Sequence, residues 1–383
     1  MLEENAVVKV QEHATADGSY AIGHLTLNKP KALNALDLEM ASIMLDALQG
    51  WQQRNDIVCV VIDAAGDKAF CAGGDIVSMY NAMVEASGKI PAFLEAFFKT
   101  EYTLDFTIHN FPKPIVVWGS GIVMGGGMGL LCGASHRVVT ETSRLAMPEI
   151  TIGLYPDVGG SYFLPRLPGK SGLFLGLTGA QMNATDACYV GLGDVIVSSS
   201  EKHNLLDALK GADWTGALTK EGDALNAALN SKADEILATL KKPDVVPTPN
   251  VEPNMALINS VCESDSIVEV VQRILGVDAN EDKWLKRGQN SLEKGSPITM
   301  HLVFEQCKRG ATMTLSECFR MEADMSCRCG ESGEFQEGVR ALLIDKDMAP
   351  KWKYQTVEDV PHDVVEHFFS SPWTDEQHPL ATL

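Results

Sequence analysis

"PIVVWGSGIVMGGGMGLLCGAS", residues 114–135, carries no charged side chain along its whole length. A stretch that long and that apolar can cross a bilayer as a single helix. Its seven glycines, three of them consecutive at Gly125, Gly126 and Gly127, argue against that. Each glycine inside a helix costs roughly 1 kcal/mol relative to alanine. The opening "IVV" is instead a β-branched run that suits a strand. The stretch reads as a buried strand, a glycine turn and the start of a buried helix.

The same grammar occurs upstream. "DIVCVVIDAAG" (56–66) is almost continuously apolar, as in a strand covered on both faces. "DKAFCAGGDI" (67–76) turns out of it. Before it, "VVKVQEHA" (7–14) and "YAIGHLTL" (20–27) read as strands joined by the hairpin turn "TADGS". "LDLEMASIMLDALQGWQQ" (36–53) has apolar residues at helical spacing, with Asp37 near its start. "PAFLEAFFKTEYTLDFTIHNF" (91–111) repeats that spacing. Strand, glycine turn and helix thus recur before residue 140, which implies an α/β fold with parallel pairing.

Beyond about residue 170 strand-like runs thin out, apart from "DVIVSSS" (194–200). Helices are expected at 202–210, 222–240, 254–276, 279–289, 298–307 and 314–328, with "KKPDVVPTPNVEP" (241–253) as a proline-rich loop. The expected division is an α/β core over 1–200 and a helical region over 201–383.

The chain has 383 residues, is 45% hydrophobic and has a formal net charge of −20. That balance argues against binding nucleic acid or an anionic membrane through a broad basic surface. Nine cysteines lack any CxxC pair, and the CxC at Cys327 and Cys329 is too little for a metal site. Reduced thiols in the cytoplasm are the expectation, with the mitochondrial matrix as the alternative. The acidic start "MLEENAVVKVQEHATADGSY" lacks the basic and apolar regions of a secretory signal. Sequence leaves the oligomeric state open.

Candidate chemistry centres on "MPEITIGLYPDVGG" (147–160). It sets two carboxylates, Glu149 and Asp157, among apolar residues, glycine and proline. Burying an unpaired carboxylate raises its pKa and makes it a candidate acid, base or nucleophile. "CAGGD" (71–75) and "MGGGMG" (124–129) each follow a buried strand and open a helix, exposing N–H groups that could hold an oxyanion. Close strand–helix packing is the plainer reading of either turn alone. No GxxxxGK[ST] loop and no strand-borne GxGxxG occurs, so ATP and NAD are not expected. Nor is there a GxSxG nucleophile elbow.

"LNKPKALNAL" (27–36), "AFCAGGDI" (69–76), "GIVMGGGMGL" (121–130) and "MPEITIGLYPDVGGSYFLPRLPG" (147–169) resemble, in order and spacing, the crotonase (enoyl-CoA hydratase/isomerase) superfamily. The resemblance implies a spiral of β-β-α units that binds an acyl-CoA thioester. The thioester oxygen would sit between the N–H groups of Gly74 and Gly126. Lys29, Lys31 and Ala32 would lie beside the nucleotide end of CoA. Hydratases of the superfamily carry two catalytic glutamates; this chain keeps one, Glu149, and has Gly129 at the other position.

"GLYPDVGGSYFLPRLPGKSG" (153–172) and "FQEGVRALLIDKDMAPKW" (335–352) are similar to the branch that hydrolyses 3-hydroxyisobutyryl-CoA. That likeness implies a thioesterase in valine degradation. Glu149 would act as nucleophile or general base, Asp157 would hold the substrate 3-hydroxyl or the attacking water, and Glu101 would line the acyl end. No metal and no cofactor apart from the substrate's own CoA is implied. Asp157 as a mere helix cap and Glu101 on a solvated helix face are the plainer alternatives. A hydratase or isomerase using Glu149 alone, or a non-catalytic acyl-CoA-binding protein, are the competing functions.

Overall fold

The computed structural model describes residues 6–383, so the first five residues of the N-terminal stretch lie outside it. The chain forms two compact units that interleave along the sequence: Met1–Gly74, Leu104–Leu145 and Met182–Pro249 in the first, and Asp75–Thr103, Ala146–Gln181 and Asn250–Leu383 in the second. Residue 200 therefore lies inside the first unit. The last strand ends at Val197, and the elements after it are helical.

The first unit is built on a sheet of six strands. They are β1 (Val8–Ala14), β2 (Ala21–Leu27), β3 (Ile57–Ala64), β5 (Ile115–Gly119), β7 (His136–Thr140) and β9 (Val195–Val197), adjacent in that order. β1 and β2 form the expected antiparallel hairpin, pairing Val10 with Leu25, and every later pair is parallel. A second sheet joins β4 (Ala69–Cys71), β6 (Ile122–Met124) and β8 (Arg144–Ala146). All eight residues of β3 and all five of β5 are buried, as their apolar runs require.

One face of the large sheet packs Val58, Val116, Trp118 and Val138 against Leu205, Leu209, Leu229, Ala233 and Ile236 of the helices Lys202–Gly211 and Gly222–Leu237. Helix Leu38–Gln52 starts where expected, with Asp37 accepting from the Met40 N–H at 2.8 Å. The stretch 114–135 resolves into β5, β6 and a short helix, Gly126–Cys132. Among the described residues no helix is long and apolar enough to cross a membrane.

The second unit is helical. The run expected as one helix over 254–276 is two, Val251–Val261 and Ile267–Gly276. Ser266 interrupts it by capping the Glu269 N–H. The first of these helices starts at Val251, inside the segment expected to be loop. The helix expected at 279–289 begins only at Lys283, where Asp282 caps Trp284 and Leu285.

Candidate active site

The two glycine turns lie in the first unit. Gly126 is the first residue of its helix, so its N–H falls in the turn that has no intrahelical acceptor. Its neighbour Gly127 serves packing: a β-carbon there would stand 2.4 Å from the Cys71 carbonyl oxygen. Gly74 is bridged to Leu36, whose N–H donates to the Gly73 carbonyl at 2.8 Å. It precedes Asp75, which caps helix Ile76–Ala86.

The CoA-loop candidates are also in this unit. Lys29 is ion-paired with Asp37 at 2.6 Å, while Lys31 and Ala32 are exposed. Asn34 fixes the loop by accepting from the Lys29 N–H and donating to the Ala65 and Ala69 carbonyls.

The acids lie in the second unit. Glu149 opens a 3-10 turn, Glu149–Ile152, and is only 4% exposed. Its Oε2 has no hydrogen-bond partner among the described residues. Burial, then repulsion from Asp157, pushes its pKa well above the usual glutamate value. The turn is held from behind. Gly153 lies against the Glu334 carbonyl, where a β-carbon would come to 2.5 Å, and the Ser296 N–H donates to the Ile150 carbonyl at 3.1 Å.

Asp157 is buried as well, and burial raises its pKa to about 6 against the opposing hydrogen bond with Tyr102. The Tyr102 hydroxyl is 2.7 Å from Asp157 Oδ2. The backbone around Asp157 is pinned on several sides. Gln306 donates to the Pro156 carbonyl at 2.7 Å, and the Gly160 N–H to the Asp157 carbonyl at 2.7 Å. Val158 sits at φ +50°, a costly conformation for a β-branched residue that such pinning can maintain.

The reading of Asp157 as a helix cap is not what the structure shows. The short helix Gly160–Phe163 has Gly159 at its cap position, and the N–H groups of Gly159 and Ser161 donate to Glu322, each at 2.8 Å. Burial lifts Glu322 to about 8. Sequence reasoning missed this residue. Its signal was an acid in the stripe Cys318, Glu322, Met325, Cys329 on the buried face of helix Leu315–Ser332. Glu101 is 2% exposed, so the solvated-face reading is likewise replaced by burial.

Arg166 donates to the Tyr162, Gly310 and Met313 carbonyls and lies over the Tyr162 ring, tying segments together. His136 lies within hydrogen-bond reach of Ser135 Oγ and the Asn230 carbonyl.

A carboxylate raised by burial, and an N–H at a glycine-opened helix that has no acceptor within that helix, are equipment suited to thioester chemistry. The sequence pattern of the enoyl-CoA hydratase/isomerase family matches residues 22–369, and the chain belongs to that family. Its fold is that of the crotonases: a crystal structure of an enoyl-CoA hydratase from Rhodobacter sphaeroides superposes with a TM-score of 0.79 at 32% identity, covering 95% of this chain and 97% of that one. Among curated relatives, the mitochondrial 3-hydroxyisobutyryl-CoA hydrolase of Danio rerio is 39% identical over 91% of this chain and 87% of its own. The protein of the same name from Homo sapiens is 36% identical, over 91% and 86%.

Proposed function

We propose that the protein hydrolyses 3-hydroxyisobutyryl-CoA to 3-hydroxyisobutyrate and coenzyme A. The observation that carries this reading is the extent of the match to the hydrolases, 91% of the chain. The segment 335–352, one of the two that set this branch apart, supports it further: Gly338 in that segment packs directly on Ile152 of the Glu149 turn.

In this reading the N–H groups of Gly74 and Gly126 polarise the thioester carbonyl and hold the oxyanion. Glu149 either attacks the carbonyl carbon, giving an anhydride that water then opens, or takes a proton from water as it attacks. Either route breaks the C–S bond, places a water hydroxyl on the acyl carbon and sends a proton to the departing thiolate. Asp157 receives the 3-hydroxyl, Glu101 lines the acyl end, and Lys29, Lys31 and Ala32 lie along the nucleotide of CoA. No further cofactor or metal is needed. For the compartment, the relatives named mitochondrial favour the matrix over the cytoplasm.

A thiol-release panel tests the reading. 3-Hydroxyisobutyryl-CoA should release thiol fastest, ahead of 3-hydroxypropionyl-, crotonyl- and acetyl-CoA. Hydration of crotonyl-CoA without thiol release would make the protein a hydratase. Binding of all four with turnover of none would make it a non-catalytic binder.

A further inference from the structure

Beside Asp157 four oxygen–oxygen contacts run in series. Asp157 Oδ2 is 2.7 Å from the Tyr102 hydroxyl, which is 2.7 Å from Ser326 Oγ. Ser326 Oγ is 2.8 Å from the Tyr155 hydroxyl, which is 2.7 Å from the Glu322 main-chain carbonyl oxygen. All four are ordinary O–H···O separations. Two oxygens that close with no hydrogen between them set lone pair against lone pair.

The three hydroxyls bring three protons to four contacts. The Glu322 carbonyl can only accept, so Tyr155 donates to it. Ser326 must then donate to Tyr155, and Tyr102 to Ser326. The contact between Tyr102 and Asp157 is left without a proton unless the carboxyl supplies one. We propose that Asp157 is held as a neutral carboxylic acid whose proton points at Tyr102, and that Tyr102, Ser326 and Tyr155 form a one-directional wire that keeps it there.

The groups facing Asp157 agree with that assignment. Glu149, Tyr102, Tyr155, Glu322 and Cys329 all interact with it, and each of them is an acid. Glu101 adds a further acid beside Tyr102. Burial acts in the same direction. Two hydrogen bonds favour the ionised form and hold the value at about 6: one from the Asp157 main-chain N–H, and one from the Tyr102 hydroxyl if it points its proton at Asp157. With the Tyr102 proton committed to Ser326 the second is gone, and the carboxyl keeps its proton to a higher pH.

Two consequences follow. The remaining oxygen, Oδ1, is a carbonyl acceptor suited to a hydroxyl or a water. A neutral Asp157 also removes the repulsion that resists ionisation of Glu149, leaving Glu149 as the single charge of the pair. Their bearing on turnover rests on the thioesterase reading; the place of the proton does not.

The test is infrared difference spectroscopy of the full chain in D2O, with the Asp157→Asn spectrum subtracted to isolate the Asp157 carboxylic-acid C=O band. The band should be present at neutral pH and disappear at a higher pH. Ser326→Ala leaves two contacts and two protons, which frees Tyr102 to donate to an ionised Asp157. The midpoint should fall by ~1 pH unit. Tyr155→Phe also leaves two contacts and two protons, and should produce the same fall.

If Tyr102 already donates to an ionised Asp157, neither change lowers the midpoint. A parent protein without the band at neutral pH overturns the proposal, even if neither variant folds. So does an unchanged or raised midpoint in either folded variant. Thiol release measured on the same samples separates the two readings: an intact band with no hydrolysis removes the thioesterase and leaves the wire.

Discussion

Gly338 lies so close to Ile152 that a β-carbon on it would stand 2.3 Å from the Ile152 carbonyl carbon. Backbone meets backbone there, so no flexible side chain can yield. Ile152 closes the turn that begins with Glu149. The C-terminal segment thus sets the position of the candidate base. Gly338→Ala must push the turn or its own helix away. Overpacking of this kind costs ~1–3 kcal/mol, and the displaced Glu149 should lower kcat more than it raises KM. Melting curves and steady-state kinetics check both, and a variant matching the parent in both would remove the coupling.

Glu149→Gln should reduce thiol release by at least ~100-fold, since the amide keeps the shape and loses both nucleophile and base. Its stability should move the other way. Burial holds the Glu149 pKa above 4.5, so the folded state favours the proton. Stability then falls as pH rises from the unfolded value through the raised one. Glutamine is neutral throughout. The variant should melt above the parent, with a gap that widens from pH 5 to pH 8. For the same reason the parent's kcat/KM should fall as pH drops through the raised value.

Gly126→Pro removes one N–H at the first residue of a helix, where proline fits. Loss of one oxyanion donor is worth roughly 100- to 1,000-fold in kcat. A variant with parental circular dichroism and parental kcat would place the oxyanion donors elsewhere.

The long elements were legible because their patterns are long. β3 and β5 are continuous apolar runs, and helix Leu38–Gln52 announces its cap. The strands β4, β6 and β8 have three residues each, too short for any period to emerge, and β4 and β6 sit among glycines. Glu149 and Asp157 stood out as acids in apolar surroundings. The hydroxyl chain behind Asp157 could not be read, because Tyr102 and Ser326 are 224 positions apart and meet only in the fold.

The two lysines of the CoA loop should separate in a kinetic experiment. Lys29 is committed to Asp37, with side chains about a quarter exposed, whereas Lys31 is exposed. Lys31→Ala should raise KM several-fold with kcat nearly unchanged, and the effect should shrink in high salt. Lys29→Ala should mainly cost stability, ~0.2–1 kcal/mol for a pair of this kind. Equal KM effects from both would mean that Lys29 leaves Asp37 to bind the substrate.

Asp157 carries the choice of substrate. If its Oδ1 accepts the 3-hydroxyl, Asp157→Ala should cost 3-hydroxyisobutyryl-CoA more than isobutyryl-CoA, which never made that contact. A hydrogen bond of ~0.5–1.5 kcal/mol corresponds to a few-fold up to about tenfold change in the ratio of the two kcat/KM values. If Asp157 instead holds the attacking water, both thioesters should lose rate by the same factor and the ratio should stay fixed. The Tyr102 hydroxyl keeps its contact with Ser326 in this variant, so the buried chain is shortened and not stranded. The ratio, measured beside a melting curve, therefore reports on recognition: a drop assigns Asp157 to the hydroxyl, and a constant ratio with slower turnover assigns it to water.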